Sequence, residues 1–185
     1  MRKLAFVLET HQDVFAEFAQ RSGWVRTLED SEDFPSFDER SVWSWQVPQG
    51  GGVRFVDDDA LRLQYIEISG DHAVQLEEAV QEEFTCYDKS DCLDIVDLNQ
   101  DEEIVTHALR LLTCTSVGEF DQEVFDRAIA ALDDEREDVR IAALRIPRYT
   151  EWVEFLSEVN RVYLSDPSGR VRAQAGNVKL ILELI

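Results

Sequence analysis

The sequence predicts an α+β protein: a small N-terminal mixed β-sheet with one helix, followed by C-terminal antiparallel helix pairs. Up to residue 72 the apolar pattern switches between short strand-like runs and one helical face. Beyond it, every periodic segment repeats apolar residues at three- and four-residue spacing. The chain has 185 residues, 44% of them hydrophobic, which suits one domain or two small ones sharing a core. The expected organisation is an α+β region over 1–72 and a helical region over 73–185, as two parts or as one continuous body.

The elements follow in order. Lys3 to Leu8 is a short apolar run, read as a first strand because a secretory signal needs a longer uncharged core. His11, Val14, Phe15, Phe18 and Ala19 share one helical face. From Ser22 to Gln49 the chain turns irregular and acidic, around Glu29-Asp30-Ser31-Glu32-Asp33-Phe34-Pro35. Val42 to Val47, with Trp43 and Trp45, has the aromatic and β-branched content of a strand, and Pro48 to Gly52 is a turn. Val53 to Val56 and Leu61 to Ser69 read as further strands. In the last, Leu63 and Tyr65 stand on one parity and Ile66 and Ile68 on the other, which calls for a bulge or burial on both faces. Ala73 to Phe84 is an amphipathic helix with an acidic face. Helical stretches follow at 102–113, 121–132, 137–146, 151–164 and 170–184, with Pro147 expected to end the third.

Internal similarity is the most informative feature. Asp138-Val139-Arg140-Ile141-Ala142-Ala143-Leu144 lies over Arg170-Val171-Arg172-Ala173-Gln174-Ala175-Gly176, and the spacing from Asp134 to Arg140 repeats from Asp166 to Arg172. A weaker copy, Glu103 to Leu109, lacks the arginine. Residues 100–185 thereby resemble the HEAT family of helical repeats, in which an Asp-Pro-rich turn precedes Val-Arg and small alanines. The resemblance implies a HEAT-like α-solenoid that binds other macromolecules, with Arg140 and Arg172 pairing with turn acids to tie the repeats together. The alanines at 142, 143, 173 and 175 suit close helix approach. Asp134 and Asp166 suit helix starts, where a carboxylate meets orphan N–H groups, and Pro167 suits a first helical turn.

No catalytic signature emerges. Gly50-Gly51-Gly52 joins two strand-like stretches and so is a turn, not a phosphate loop. His11, His72 and His107 lie far apart in sequence. Cys86 and Cys92, with His72 and His107, lack a familiar zinc spacing, and Asp88 to Asp94 lacks the central glycine of a calcium loop. The expectation is no enzyme, no cofactor and no metal site. The three cysteines (Cys86, Cys92, Cys114) are odd in number and suit a reducing cytoplasm.

Charge is the remaining signal. The formal net charge is −21, which disfavours nucleic acid and anionic membranes as partners. Residues 57–103 hold sixteen acids against two bases, whereas 136–172 are near neutral. The candidate partner-binding residues are Asp57, Asp58, Asp59, Glu77, Glu78, Glu82, Asp88 and Asp91, part of a series continuing through Asp94, Asp97 and Asp101. Trp43 and Trp45 share one strand face and serve as core or as an interface anchor. These features lead to an acidic protein-binding module, most specifically an immunity or antitoxin-type inhibitor docking on a basic protein such as a nuclease toxin. The alternative is a scaffold recognising peptides or helices, with acidity only for solubility. HEAT-like repeats also occur in DNA glycosylases and bilin lyases; −21 opposes the first, and the second is the remaining enzymatic reading.

Overall fold

The computed structural model describes residues 1–27, 40–48 and 50–185; the acidic stretch around Glu29–Pro35, and Gln49 of the expected turn, lie outside the described residues. The fold is α+β, and the chain divides into two compact units, Met1–Asp88 and Lys89–Ile185.

Among its described residues the N-terminal unit has six strands: β1 (Arg2–Phe6), β2 (Val25–Arg26), β3 (Arg40–Gln46), β4 (Gly52–Asp58), β5 (Leu63–Ser69) and β6 (Cys86–Tyr87), in the order β2-β3-β4-β5-β1-β6. Every pairing is antiparallel, so the expected mixed sheet is corrected. The first strand is not at an edge: β1 inserts between β5 and β6, running against both. The pairings of β5 with β4 and with β1 run in unbroken register, so the shift of apolar parity along β5 reflects burial on both faces rather than a bulge. Ile66 and Ile68 face one side, while Leu63 and Tyr65 are buried on the other.

Two helices cover the first of these faces: α1 (Gln12–Arg21) and α2 (Ala73–Glu83). Phe15 and Phe18 of α1, with Leu76 and Val80 of α2, join Leu4, Phe6, Trp45, Val53, Phe55, Ile66 and Ile68 in one core. Phe15 is the hub. Its ring centre lies 5.3 Å from Trp45, 5.4 Å from Phe55, 5.6 Å from Phe84 and 6.1 Å from Phe6. Because α2 contributes to this core and β6 pairs with β1, the unit boundary falls after Asp88 and not after residue 72.

The second unit is helical: α3 (Lys89–Ile95), α4 (Glu102–Thr115), α5 (Gln122–Leu132), α6 (Glu137–Ala143), α7 (Arg145–Thr150), a single 3₁₀ turn at Val153–Phe155, α8 (Leu156–Ser165) and α9 (Gly169–Leu182). Here α4 packs on α3, α6 and α7; α5 packs on α6; and α9 packs on α6, α7 and α8. Val139, Ala143, Val171 and Ala175 are fully buried at matching positions of α6 and α9, whereas Ala173 is exposed and takes no part in close packing. The stretch 137–146 is not one helix ended by Pro147. The break falls at Leu144, and Pro147 sits in the first turn of α7. Proline lacks the N–H that would bond the carbonyl of Ala143, so the α6 ladder stops there while a new first turn tolerates the ring. No helix among the described residues is long and apolar enough to cross a membrane.

Phe15→Ala removes the aromatic hub of the N-terminal core and is expected to cost about 3–5 kcal/mol. Chemical denaturation followed by tryptophan fluorescence checks this, because Trp24 and Trp45 both touch the Phe15 ring. A loss below about 1 kcal/mol would contradict the packing, being far short of the usual cost of a large core truncation.

Candidate functional site

Among the candidate acids of the N-terminal unit, the structure separates inward from outward groups. The Asp57-Asp58-Asp59 run is not a three-charge outward cluster. Asp58 is fully buried, accepts the Leu61 N–H at 2.8 Å and lies 3.6 Å from Arg40 Nε. Strand alternation sends Asp57 to the opposite face, where it is half-buried and accepts a long 3.4 Å bond from Gln64 Nε2. Only Asp59 is exposed, at the turn. On α2, Glu77 turns inward and pairs with Arg2, while Glu78 and Glu82, one turn apart, point outward.

The outward pair has company that the sequence reading missed. Asp13 and Glu17 of α1 are exposed on the side away from Phe15 and Phe18. The ends of the two helices meet where Arg21 donates to Glu83 at 2.7 Å and Phe18 packs on Phe84 at 5.3 Å. Asp13, Glu17, Glu78 and Glu82 therefore belong to one helical layer over the sheet. The signal was present: Asp13 and Glu17 stand four apart, opposite the apolar face of α1.

Trp43 and Trp45 do share a face, but it is the core face. Trp45 is 4% exposed against Phe15, and Trp43 is half-buried with its ring 5.8 Å from Phe55. Neither stands free as an interface anchor. Asp88 is half-buried at the end of the first unit, and Asp91 is exposed on α3 of the second, so the acidic series is divided between the two units. Asp94 and Asp101 are exposed, while Asp97 folds its carboxylate into its own turn, accepting from the N–H and amide of Asn99 and from Gln100.

In the helical unit the arginines meet the turns. Arg140, 7% exposed, grips Asp166 with two bonds of 2.8 and 3.2 Å. Its remaining Nη1 donates to the carbonyls of Asp134 and Glu135 at 2.8 and 2.9 Å. Arg172 repeats the second half of this pattern, donating from Nη1 to the carbonyls of Asp166 and Pro167, so its turn partners are carbonyls rather than an acid. Asp134 and Asp166 are not helix caps. Each accepts the N–H two residues on, at Arg136 and Ser168, and Ser168 itself caps α9, which places Pro167 before the helix. In the weak first copy Val105 occupies the position of the arginine. The neighbouring Arg136 reaches back instead, donating to the carbonyls of Leu98 and Gln100 at 2.8 and 2.7 Å.

Further pairs engage Arg161 with Asp133 and Glu158, Arg170 with Glu137, and Lys89 with Asp121. The helical unit thus neutralises many of its own acids. The hydrogen bond from Arg136 holds the Asp134 carboxyl below the usual carboxylate range, and that from Lys89 does the same for Asp121. Burial pushes the Cys86 thiol up to about 12, which keeps it protonated and poorly nucleophilic. Among the described residues no three His, Cys, Asp or Glu side chains gather as a metal site. Comparison with protein-family models, curated proteins and solved structures finds no match for the chain.

A depressed folded-state pKa stabilises the fold above the ordinary carboxylate pKa, near 3.9, and that contribution is lost as pH falls through the folded value. Asp134→Asn is therefore expected to lower the thermal midpoint at neutral pH, with the gap to wild type closing as the pH is taken down through and below the ordinary carboxylate range. Helical circular dichroism across pH checks this. A gap that stays constant with pH would mean that the Asp134 charge does not stabilise the turn.

Proposed function

We propose that the chain is an acidic protein-binding module of the cytoplasm, and most specifically an immunity or antitoxin-type inhibitor that docks on a basic protein such as a nuclease toxin. The observation that carries this reading is the unequal disposition of charge. Asp13, Glu17, Glu78 and Glu82 stand outward on one helical layer, and among the described residues their only ion-pair partner is His11 beside Asp13, at 3.8 Å and highly exposed. In the second unit Arg136, Arg140, Arg161, Arg170 and Arg172 are directed at its own turns and acids. Such a layer presents a negative field that steers a cationic partner and raises the encounter rate. Carboxylates can then occupy the positions that substrate phosphates take in a basic cleft.

The second unit serves as the frame. Its repeated turns, with an Asp accepting the N–H two residues on and an arginine donating to the same two carbonyls in each copy, support a HEAT-like repeat in which rigidity comes from arginine-to-turn contacts. The scaffold alternative, with acidity serving solubility alone, makes the opposite statement about salt.

The test takes basic proteins retained on a cation exchanger from the native source and measures their association with the immobilised chain. The combined Asp13→Asn, Glu17→Gln, Glu78→Gln, Glu82→Gln variant is expected to slow association by about tenfold or more at low ionic strength. The difference should shrink as salt screens the field. An unchanged association rate at low salt would remove the steering mechanism and favour the scaffold reading.

A further inference from the structure

We propose that the N-terminal unit carries a second binding site, independent of the acidic layer: a pocket on the opposite face of the sheet that takes a small polar carboxylate through Arg54. The cavity measures about 560 Å³; its wall includes Met1, Thr27, Ser44, Arg54, Glu67 and Ser69, the glycines at 51, 52 and 70, and parts of Trp45, Gln46 and Val53. That volume falls within the size of ligand clefts, roughly 300–1,000 Å³.

Strand alternation places the site. Val53 and Phe55 of β4 enter the helix-covered core, so Gly52 and Arg54 point to the other face. Across the sheet, Ser44, Arg54, Glu67 and Lys3 stand in register as one row over β3, β4, β5 and β1. Lys3 is buried, with Nζ 2.6 Å from Glu67 Oε1 and 5.2 Å over the Tyr65 ring. Arg54 lies farther from the same carboxylate, at 3.7 Å, and its side chain is 59% exposed. Among the described residues its guanidinium makes no hydrogen bond.

Lys3 already balances the charge of Glu67, so the row carries two cations for one carboxylate. One positive charge is left over at the mouth of a pocket, in a chain of net charge −21. A planar carboxylate matches the guanidinium fork and restores neutrality. A phosphate dianion would bring more charge than the single surplus cation can meet, and Glu67 would repel it more strongly than a singly charged carboxylate. The hydroxyls of Thr27 and Ser69 donate to the carbonyls of Ser44 and Gly52, which leaves their oxygens as acceptors for a ligand that also carries donors.

The glycines shape the site in two ways. A Cβ on Gly51 would lie 2.4 Å from the Ser69 carbonyl oxygen, and one on Gly70 would lie 2.6 Å from the Gly51 Cα, so both positions need the close backbone approach that forms the rim. Gly52 is different. A Cβ there meets nothing nearer than Ser69 Oγ at 3.4 Å, so a side chain is tolerated and would project into the cavity.

The experiment follows the amide resonances of Gly51, Gly52, Ser69 and Gly70, with the Arg54 Nε resonance, during titration of the full chain. The probes are lactate and the free acid of acetyl-trialanine, each against its neutral amide. Saturable shifts by an acid, with its amide weaker by about tenfold, support the site. The acid that acts identifies the source as a free small molecule or a peptide C-terminus. Arg54→Gln should weaken binding by about tenfold, and Gly52→Val should abolish it while the core resonances keep their positions. The proposal is overturned if neither acid shifts these resonances, if the amides bind as well as the acids, or if either variant binds like the wild type. None of these outcomes touches the acidic layer, which lies on the other face.

Discussion

The helical unit depends on one interaction, the buried guanidinium of Arg140 set between a carboxylate and two carbonyls. Its bidentate bond to Asp166 joins the turn before α9 to α6, and its Nη1 holds the turn before α6 itself. A buried arginine is tolerable only when its donors are satisfied, and a guanidinium offers five in a fixed fork. The geometry of the turns is therefore set by the cation as much as by helix packing. Arg172 repeats the carbonyl half, and Arg136 serves the turn before α4.

This arrangement has an electrostatic consequence. Cations directed at internal turns neutralise the acids beside them and leave those elsewhere unmatched, in a chain of net charge −21. The effect is uneven. Acids at the repeat turns are hydrogen-bonded and paired, and several of them hold the fold together. Among the described residues, Glu17, Glu78 and Glu82 on the outer sides of α1 and α2 make no such bonds. Asp58 and Glu77 show that carboxylates of one short segment divide between the two roles, decided by which way the backbone turns them.

Much of the architecture was legible because it rests on local period. The strands at Val42, Val53 and Leu63, the helix beginning near His11 and the turn at Pro48 follow from alternation, helical spacing and glycine content. The repeat offset between α6 and α9 was visible for the same reason, and it located Arg140 and Arg172. Partners distant in sequence were not legible. Helical periodicity places Glu77 on an acidic face, and only the pairing with Arg2, from the first strand, turns it inward. The two-residue strands β2 and β6 are too short to carry a pattern, and β6 is what extends the first unit to Asp88. Trp43 and Trp45 had the right shared face, but whether that face met solvent or α1 depended on how the sheet was covered.

The most direct measurement is a double-mutant cycle between Arg140 and Asp166, using Arg140→Met, Asp166→Ala and the pair, with stability read from denaturant unfolding of the helical signal. If the guanidinium organises the repeat turns, each single change is strongly destabilising and the coupling reaches about 2–3 kcal/mol. A coupling below about 0.5 kcal/mol, the level at which independent sites simply add, would contradict the account, because the arginines would then be decorating the turns rather than holding them.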